Sequence, residues 1–264
     1  MSLSDLFLRE IQHELAKPQQ QRQVLAQEHL TLLPPLLQHY LRNSGFVGKP
    51  LGQNCYVVWE DASLKLRPDK DWTHISCIQF NAAHGPMRNA LMRSKMLGLI
   101  PLSGKDKYQD GKGNMLIKLA AFTVSEAKGP EMDVSALVTF LAEAVLLPAA
   151  LLGEYIAWQQ VDENILRATI SHAGATASGN FFFSTDFLPY KFESEDRYYA
   201  TGKSPAQKFL WTAYYAGFKD MRGYWLPTEL KASWQLPDGE YTYFDGKIKS
   251  VTFDIAAVSQ IRVS

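Results

Sequence analysis

The chain has 264 residues, 46% hydrophobic and 20% charged, a composition ordinary for a soluble globular protein. Lysine plus arginine equals aspartate plus glutamate, 27 each, so the formal net charge is zero, which argues against a dedicated nucleic-acid binder with its basic excess. Two cysteines and six scattered histidines show no metal-ligand spacing, and neither a metal nor a cofactor is expected.

The N-terminus lacks a basic stretch followed by an apolar one, so the chain as it stands is expected to be cytoplasmic, neither exported nor held by a membrane span. Residues 4–17 read as a helix, with Leu8, Ile11 and Leu15 in one stripe and Pro18 closing it. Residues 19–31 are a second helical candidate. Residues 35–43 are a third, with prolines at its start and Gly45 just past its end. Residues 1–45 therefore form a helical N-terminal segment, and 46–264 a single domain.

From Asn54 the apolar period changes towards two. Cys55, Val57 and Trp59 share one strand face, with Tyr56, Val58 and Glu60 on the other. Residues 73–80 form a second strand beyond a turn at Arg67-Pro68-Asp69. A register centred on residue 66 places Cys55 opposite Cys77, which makes a disulfide conceivable; two free thiols are the default for a cytosolic chain. Residues 87–99 suit either a helix or a strand and are read as a strand on their neighbours. Residues 86–118 carry seven Lys/Arg against two Asp and read as a solvated strand face. Asp110-Gly111 joins strands 105–109 and 114–119 in a tight hairpin.

Residues 133–153 are the most apolar run, with Glu143 their only internal charge. Asp133 is placed as N-cap, and Val134, Leu137, Val138, Leu141 and Val145 follow helical spacing. The helix is apolar nearly all round and is therefore a core helix, ended or kinked by Pro148. The stretch before Pro148 is shorter than the roughly 20 residues that cross a bilayer.

Strands resume over residues 155–160, 165–171, 176–183, 190–197, 209–218, 224–236 and 247–255, with tight turns at Asp238-Gly239 and Asp245-Gly246. Residues 181–244 hold 19 of the 14 Phe, 12 Tyr and 6 Trp. Short-spaced, hairpin-linked strands give an α+β fold: a large curved antiparallel sheet, half-barrel-like, with helix 133–152 in its concavity. No nucleotide loop, zinc-protease motif, nucleophile elbow or kinase set is present.

The chain resembles an uncharacterised bacterial family known only as a domain of unknown function. The matching pieces are Leu33-Pro34-Pro35 through Tyr40-Leu41 to Gly45, then Gly104-x-Asp106-x-Tyr108-x-Asp110-Gly111-x-Gly113-x-Met115. Gly129-Pro130-Glu131-Met132, Leu141-x-Glu143, Pro148, Trp158 and Leu236-Pro237-Asp238-Gly239-Glu240 complete the set. That resemblance implies no known activity; the layout is also loosely similar to the lipoprotein-carrier half-barrels, where helices plug a curved sheet.

Two functions follow. The first is a non-enzymatic binder of a lipid or other apolar ligand between sheet and helix. Its expected site residues are Glu143 at the polar head, Phe140, Leu147, Trp158, Tyr108, Tyr198 and Trp234. The second is a hydrolase-type enzyme using Glu143 as general acid or base, helped by Tyr108 or Tyr198. A structural or interaction protein with a filled core is the remaining alternative.

Overall fold

The computed structural model of the chain describes residues 1–18, 24–96, 99–200 and 205–263. Six strands alternate in short hairpins through the first half: β1 (Asn54–Leu64), β2 (Thr73–Ala82), β3 (Met87–Met96), β4 (Ile100–Gln109), β5 (Lys112–Leu119) and β6 (Phe122–Lys128). After the central helices come β7 (Ile156–Asp162), β8 (Ile165–His172), β9 (Ala175–Phe183) and β10 (Pro189–Ser194). The remainder are β11 (Tyr198–Tyr199), β12 (Gln207–Lys208), β13 (Trp211–Ala216), β14 (Lys219–Met221), β15 (Tyr224–Leu226), β16 (Glu229–Leu236) and β17 (Gly239–Phe253).

Among the described residues, thirteen of these strands form one antiparallel sheet in the order β6-β5-β4-β3-β2-β1-β17-β16-β13-β10-β9-β8-β7. The long β17 pairs with β1 on one side and β16 on the other, and so welds the two hairpin series together. β11–β12 and β14–β15 are separate two-stranded pairs.

The sheet is curled. Helix α3 (Pro130–Glu143) touches β4, β5 and β6 near one edge and β8 and β9 near the other. Strands so far apart in the sheet reach one helix only if the sheet wraps around it. The curl is clasped at one end, where the Tyr108 hydroxyl of β4 lies 2.8 Å from His172 Nδ1 of β8. Eight strands separate β4 from β8 in sheet order.

Both faces of β1, β2 and β3 are covered. Cys55, Val57 and Trp59 face the inner core, which holds α3, α2 (Pro35–Asn43) and α4 (Pro148–Leu151). Tyr56, Ile78, Phe80 and Leu91 face outward and are covered by Leu3, Phe7 and Ile11 of α1 (Leu3–Leu15). The helical lead-in thus divides, one helix on the convex side and one within. None of the helices in the described residues is long and apolar enough to cross a membrane.

Several expectations change. Part of residues 19–31 lies outside the described residues; beyond it the chain makes only a short 3-10 turn, Gln27–Leu30. α3 begins at Pro130, with Gly129 at the N-cap, because a proline at the first helical position presets the backbone. Asp133 lies inside that first turn instead, and its carboxylate accepts from the Gly113 amide at 2.7 Å and from Lys112 Nζ at 3.0 Å. Gly113 is needed for this approach: a Cβ there would stand 2.2 Å from the Met132 carbonyl oxygen.

The helix is also interrupted before Pro148. A 3-10 turn, Ala144–Leu146, intervenes, and Leu147 leaves the helical region (φ −137°, ψ 87°), which a following proline disfavours. Tyr215 and Tyr40 donate hydroxyl bonds to the carbonyls of Ala142 (2.7 Å) and Val145 (3.4 Å), which the broken helix leaves unpaired.

Cys55 faces Asn81, not Cys77, because the hairpin closes with Leu64 opposite Thr73, a register centred beyond residue 66. Both thiols are free and buried. Asp245-Gly246 is no turn but lies inside β17, opposite Ser63 and Ala62. Gly246 is there for room, since a Cβ would meet the Trp59 ring at 2.7 Å. β6, an exposed edge strand, has no counterpart in the sequence reading.

Candidate functional site

Between α3 and the concave sheet lies a cavity of about 560 Å³. Its roof is one stripe of α3: Glu131, Ser135, Thr139 and Glu143, each four residues after the last, with Met132 beside them. The two hydroxyls on this stripe are already used, Ser135 Oγ donating to the Glu131 carbonyl (2.7 Å) and Thr139 Oγ1 to that of Ser135 (3.0 Å). α3 is therefore not apolar all round; its polar residues form the side that faces the void.

The walls differ from end to end. On the β2–β5 side Cys77, Ala90, Met92 and Met115 surround a charged cluster. Arg88 Nε donates to Glu143 Oε2 at 2.8 Å, and Nη1 to Asp106 Oδ2 at 2.7 Å. Gln79 Nε2 also donates to Glu143 Oε2. Burial alone would lower the Arg88 pKa, but the two carboxylates outweigh it and hold the guanidinium more firmly protonated than usual. On the far side Trp59, Tyr198, Tyr199, Trp211, Trp234, Tyr243 and Phe244 make an aromatic wall around Arg197.

Of the seven residues expected at the site, Glu143, Tyr198 and Trp234 line the cavity. Phe140 lies elsewhere, edge-on to Tyr155 at a ring separation of 6.1 Å. Leu147 is buried in the core. Trp158 donates its indole N–H to the Leu151 carbonyl at 2.9 Å, capping α4. Tyr108 is spent on the His172 clasp, and burial followed by the nearby Asp133 charge pushes its hydroxyl up to about 12.

Arg88, Asp106, Gln79 and Arg197 were not foreseen. Segment 86–118 is no solvated face: Lys105 is fully buried and bonds Glu10 of α1 at 2.7 Å, while Arg88 and Asp106 point into the cavity. The four-residue spacing of Glu131, Ser135, Thr139 and Glu143 was the legible signal for the roof.

Chemically the site is poor in reactive groups. Glu143 is tied to a guanidinium and an amide, and burial pushes the Cys77 thiol up to about 12, far from a reactive thiolate. Among the described residues no group of His, Cys, Asp and Glu is arranged to hold a metal ion.

Residues 23–246 match the family of unknown function DUF6544. No curated protein matches the sequence. Two solved structures are similar in fold, each 12% identical and each covering 83% of this chain. One is a LolA superfamily protein from Nitrosomonas europaea, matched over 93% of its length with a TM-score of 0.44. The other is a putative outer membrane lipoprotein-sorting protein domain from Vibrio parahaemolyticus, matched over 91% with a TM-score of 0.46.

Proposed function

The chain belongs to the family of unknown function DUF6544, and from that premise we propose that it is a non-enzymatic binder of a lipid-like or other apolar molecule, held between α3 and the concave sheet. The observation that carries this reading is the cavity itself. Its volume of about 560 Å³ falls within the range of roughly 300–1,000 Å³ typical of small-molecule sites. A protein whose core served only structure would fill such a space, because interiors pack to crystal-like density.

The lining supports the same reading. Met92, Met115 and Met132 offer flexible thioethers that adapt to irregular apolar shapes. Trp59, Trp211, Trp234 and Phe244 add large rigid apolar surface with little entropy to lose. Glu143 does not favour the catalytic alternative: its Oε2 is already engaged by both Arg88 and Gln79 and so is not free to meet a substrate.

Organic-solvent extraction of the purified protein followed by mass spectrometry tests this. A co-purifying apolar molecule, or a rise in thermal midpoint on adding a fatty acid or its methyl ester, is the expected result. A protein that is consistently empty and unresponsive to both would overturn it.

A further inference from the structure

Resting on that reading, we propose that the bound molecule is an anionic amphiphile, an apolar tail ending in a carboxylate or phosphate, and that Arg197 receives its head. Charge pairing around the cavity points there. Arg88 is shared by Glu143 and Asp106, and Lys128 pairs with Glu126 at 3.2 Å. Glu131, the remaining carboxylate of the lining, is exposed in the first turn of α3. Arg197 is the one lining cation that, among the described residues, has no carboxylate within ion-pair distance. Its neighbour Asp196 is turned away, accepting from the Ser178 amide at 2.8 Å and from Lys208 Nζ at 3.0 Å.

What holds Arg197 instead is aromatic. Its guanidinium carbon lies 4.4 Å from the Trp211 ring centre, 5.3 Å from that of Trp234 and 5.9 Å from that of Tyr243. Nη1 donates to the Tyr243 hydroxyl oxygen at 2.7 Å, and Trp211 Nε1 donates to the same oxygen at 3.1 Å. Doubly engaged as an acceptor, the Tyr243 hydroxyl donates to no acceptor among the described residues. Arg197 Nε is buried and has no partner either, and the same is true of the indole Nε1 of Trp59 on the same lining.

Buried donors are nearly always paired in folded proteins. Here a guanidinium without a carboxylate partner shares the cavity lining with donors that have no acceptor among the described residues. A carboxylate or phosphate is acceptor-only, carries the missing charge and fits the guanidinium fork. The surrounding rings and methionines suit the tail. The opposite pole suits no anion, because two carboxylates already share one guanidinium there.

Titrating the protein with cis-parinaric acid, a fluorescent fatty acid, and with its uncharged methyl ester tests the proposal. The unmodified protein should prefer the acid by roughly tenfold or more, the worth of a charge-assisted hydrogen bond. Arg197→Met should bind the two alike, the preference for the acid being lost, and Arg197→Lys should recover part of that preference. Laurate and dodecyl phosphate should each displace the probe, and their ratio separates the two head chemistries. Displacement by inorganic phosphate at the same concentration would mean a site for free anions and would overturn the amphiphile. Equal binding of acid and ester, or a preference that survives Arg197→Met, overturns the role of Arg197 while leaving the apolar-ligand reading intact. Failure of both probes to bind removes both. Thermal unfolding of each variant checks folding, and Arg197→Lys carries the test if Arg197→Met does not fold.

Discussion

On the convex side of β4, Lys105 and Lys107 close on Glu10 of α1, each at 2.7 Å. One residue away, on the concave side, Asp106 joins Glu143 in holding Arg88. The two clusters are inverses: one carboxylate between two ammonium groups, and one guanidinium between two carboxylates. They differ in what covers them. The outer cluster is roofed by a helix of the chain itself, whereas the inner one opens on a cavity that none of the described residues fills. The outer cluster therefore fastens a helix, and the inner one sets the electrostatic character of a surface available to a guest.

Breaking the inner cluster should have the larger effect. Arg88→Met leaves Glu143 and Asp106 with no cation between them, and loss of one partner from a buried ion pair costs about 3–5 kcal/mol. Urea unfolding should show the midpoint fall accordingly; a loss below about 1 kcal/mol, the range of exposed pairs, would mean that the cavity solvates this cluster freely.

Glu10→Gln comes next. It keeps a hydrogen-bond acceptor for Lys105 but removes the charge, for a loss of about 1.5–3 kcal/mol. Burial alone would raise the Glu10 pKa, but the bonds from Lys105 and Lys107 outweigh it and hold the carboxyl below its ordinary value of 4.5. Its contribution is thus complete above pH 4.5 and lost as pH falls through the lower, folded value. Unfolding curves between pH 3 and pH 7 should show a shallower acid slope in Glu10→Gln than in the unmodified chain. Equal slopes would place the acid sensitivity elsewhere.

The smallest effect belongs to the clasp. Tyr108→Phe removes one hydrogen bond, worth about 1 kcal/mol. Burial lowers the His172 pKa from its ordinary 6.5, so the unfolded chain takes up that proton first and stability declines as pH falls below 6.5. Stability measured from pH 7.5 to pH 5 with His172→Gln should lose this component; an unchanged profile would show that the imidazole does not titrate on unfolding.

Much of the architecture could be read from the chain because local signals agreed with the global fold. Residues 35–43 carry their own start and stop, and the helix occupies those positions. Asp110 and Gly111 both take positive φ, 51° and 79°, as the tight hairpin needs. The alternation of Cys55, Val57 and Trp59 against Tyr56 and Val58 marks two covered faces correctly. What escaped was whatever depended on register and curl. The site residues come from β1 to β6, α3, β11, β13, β16 and β17 and from Arg197 just before β11, and no spacing brings Arg88 to Glu143 or Arg197 to Trp211. A basic stretch likewise looks the same in sequence whether water or a helix covers it, so Lys105 gave no sign of its burial. Glu143 was recognisable because a lone acid in an apolar run needs a partner, but the partner was 55 residues away.

The Tyr108–His172 bond has a kinetic consequence. It joins β4 to β8, which have eight strands between them in the sheet and meet only once the curl has formed. Contacts of such long range must bear their loop-closure entropy before they return any energy, so this closure belongs late in folding and the domain should acquire its native form slowly. Until then both terminal hairpins expose unpaired edges and the greasy interior stands open, which is the interval in which this chain is most vulnerable to self-association.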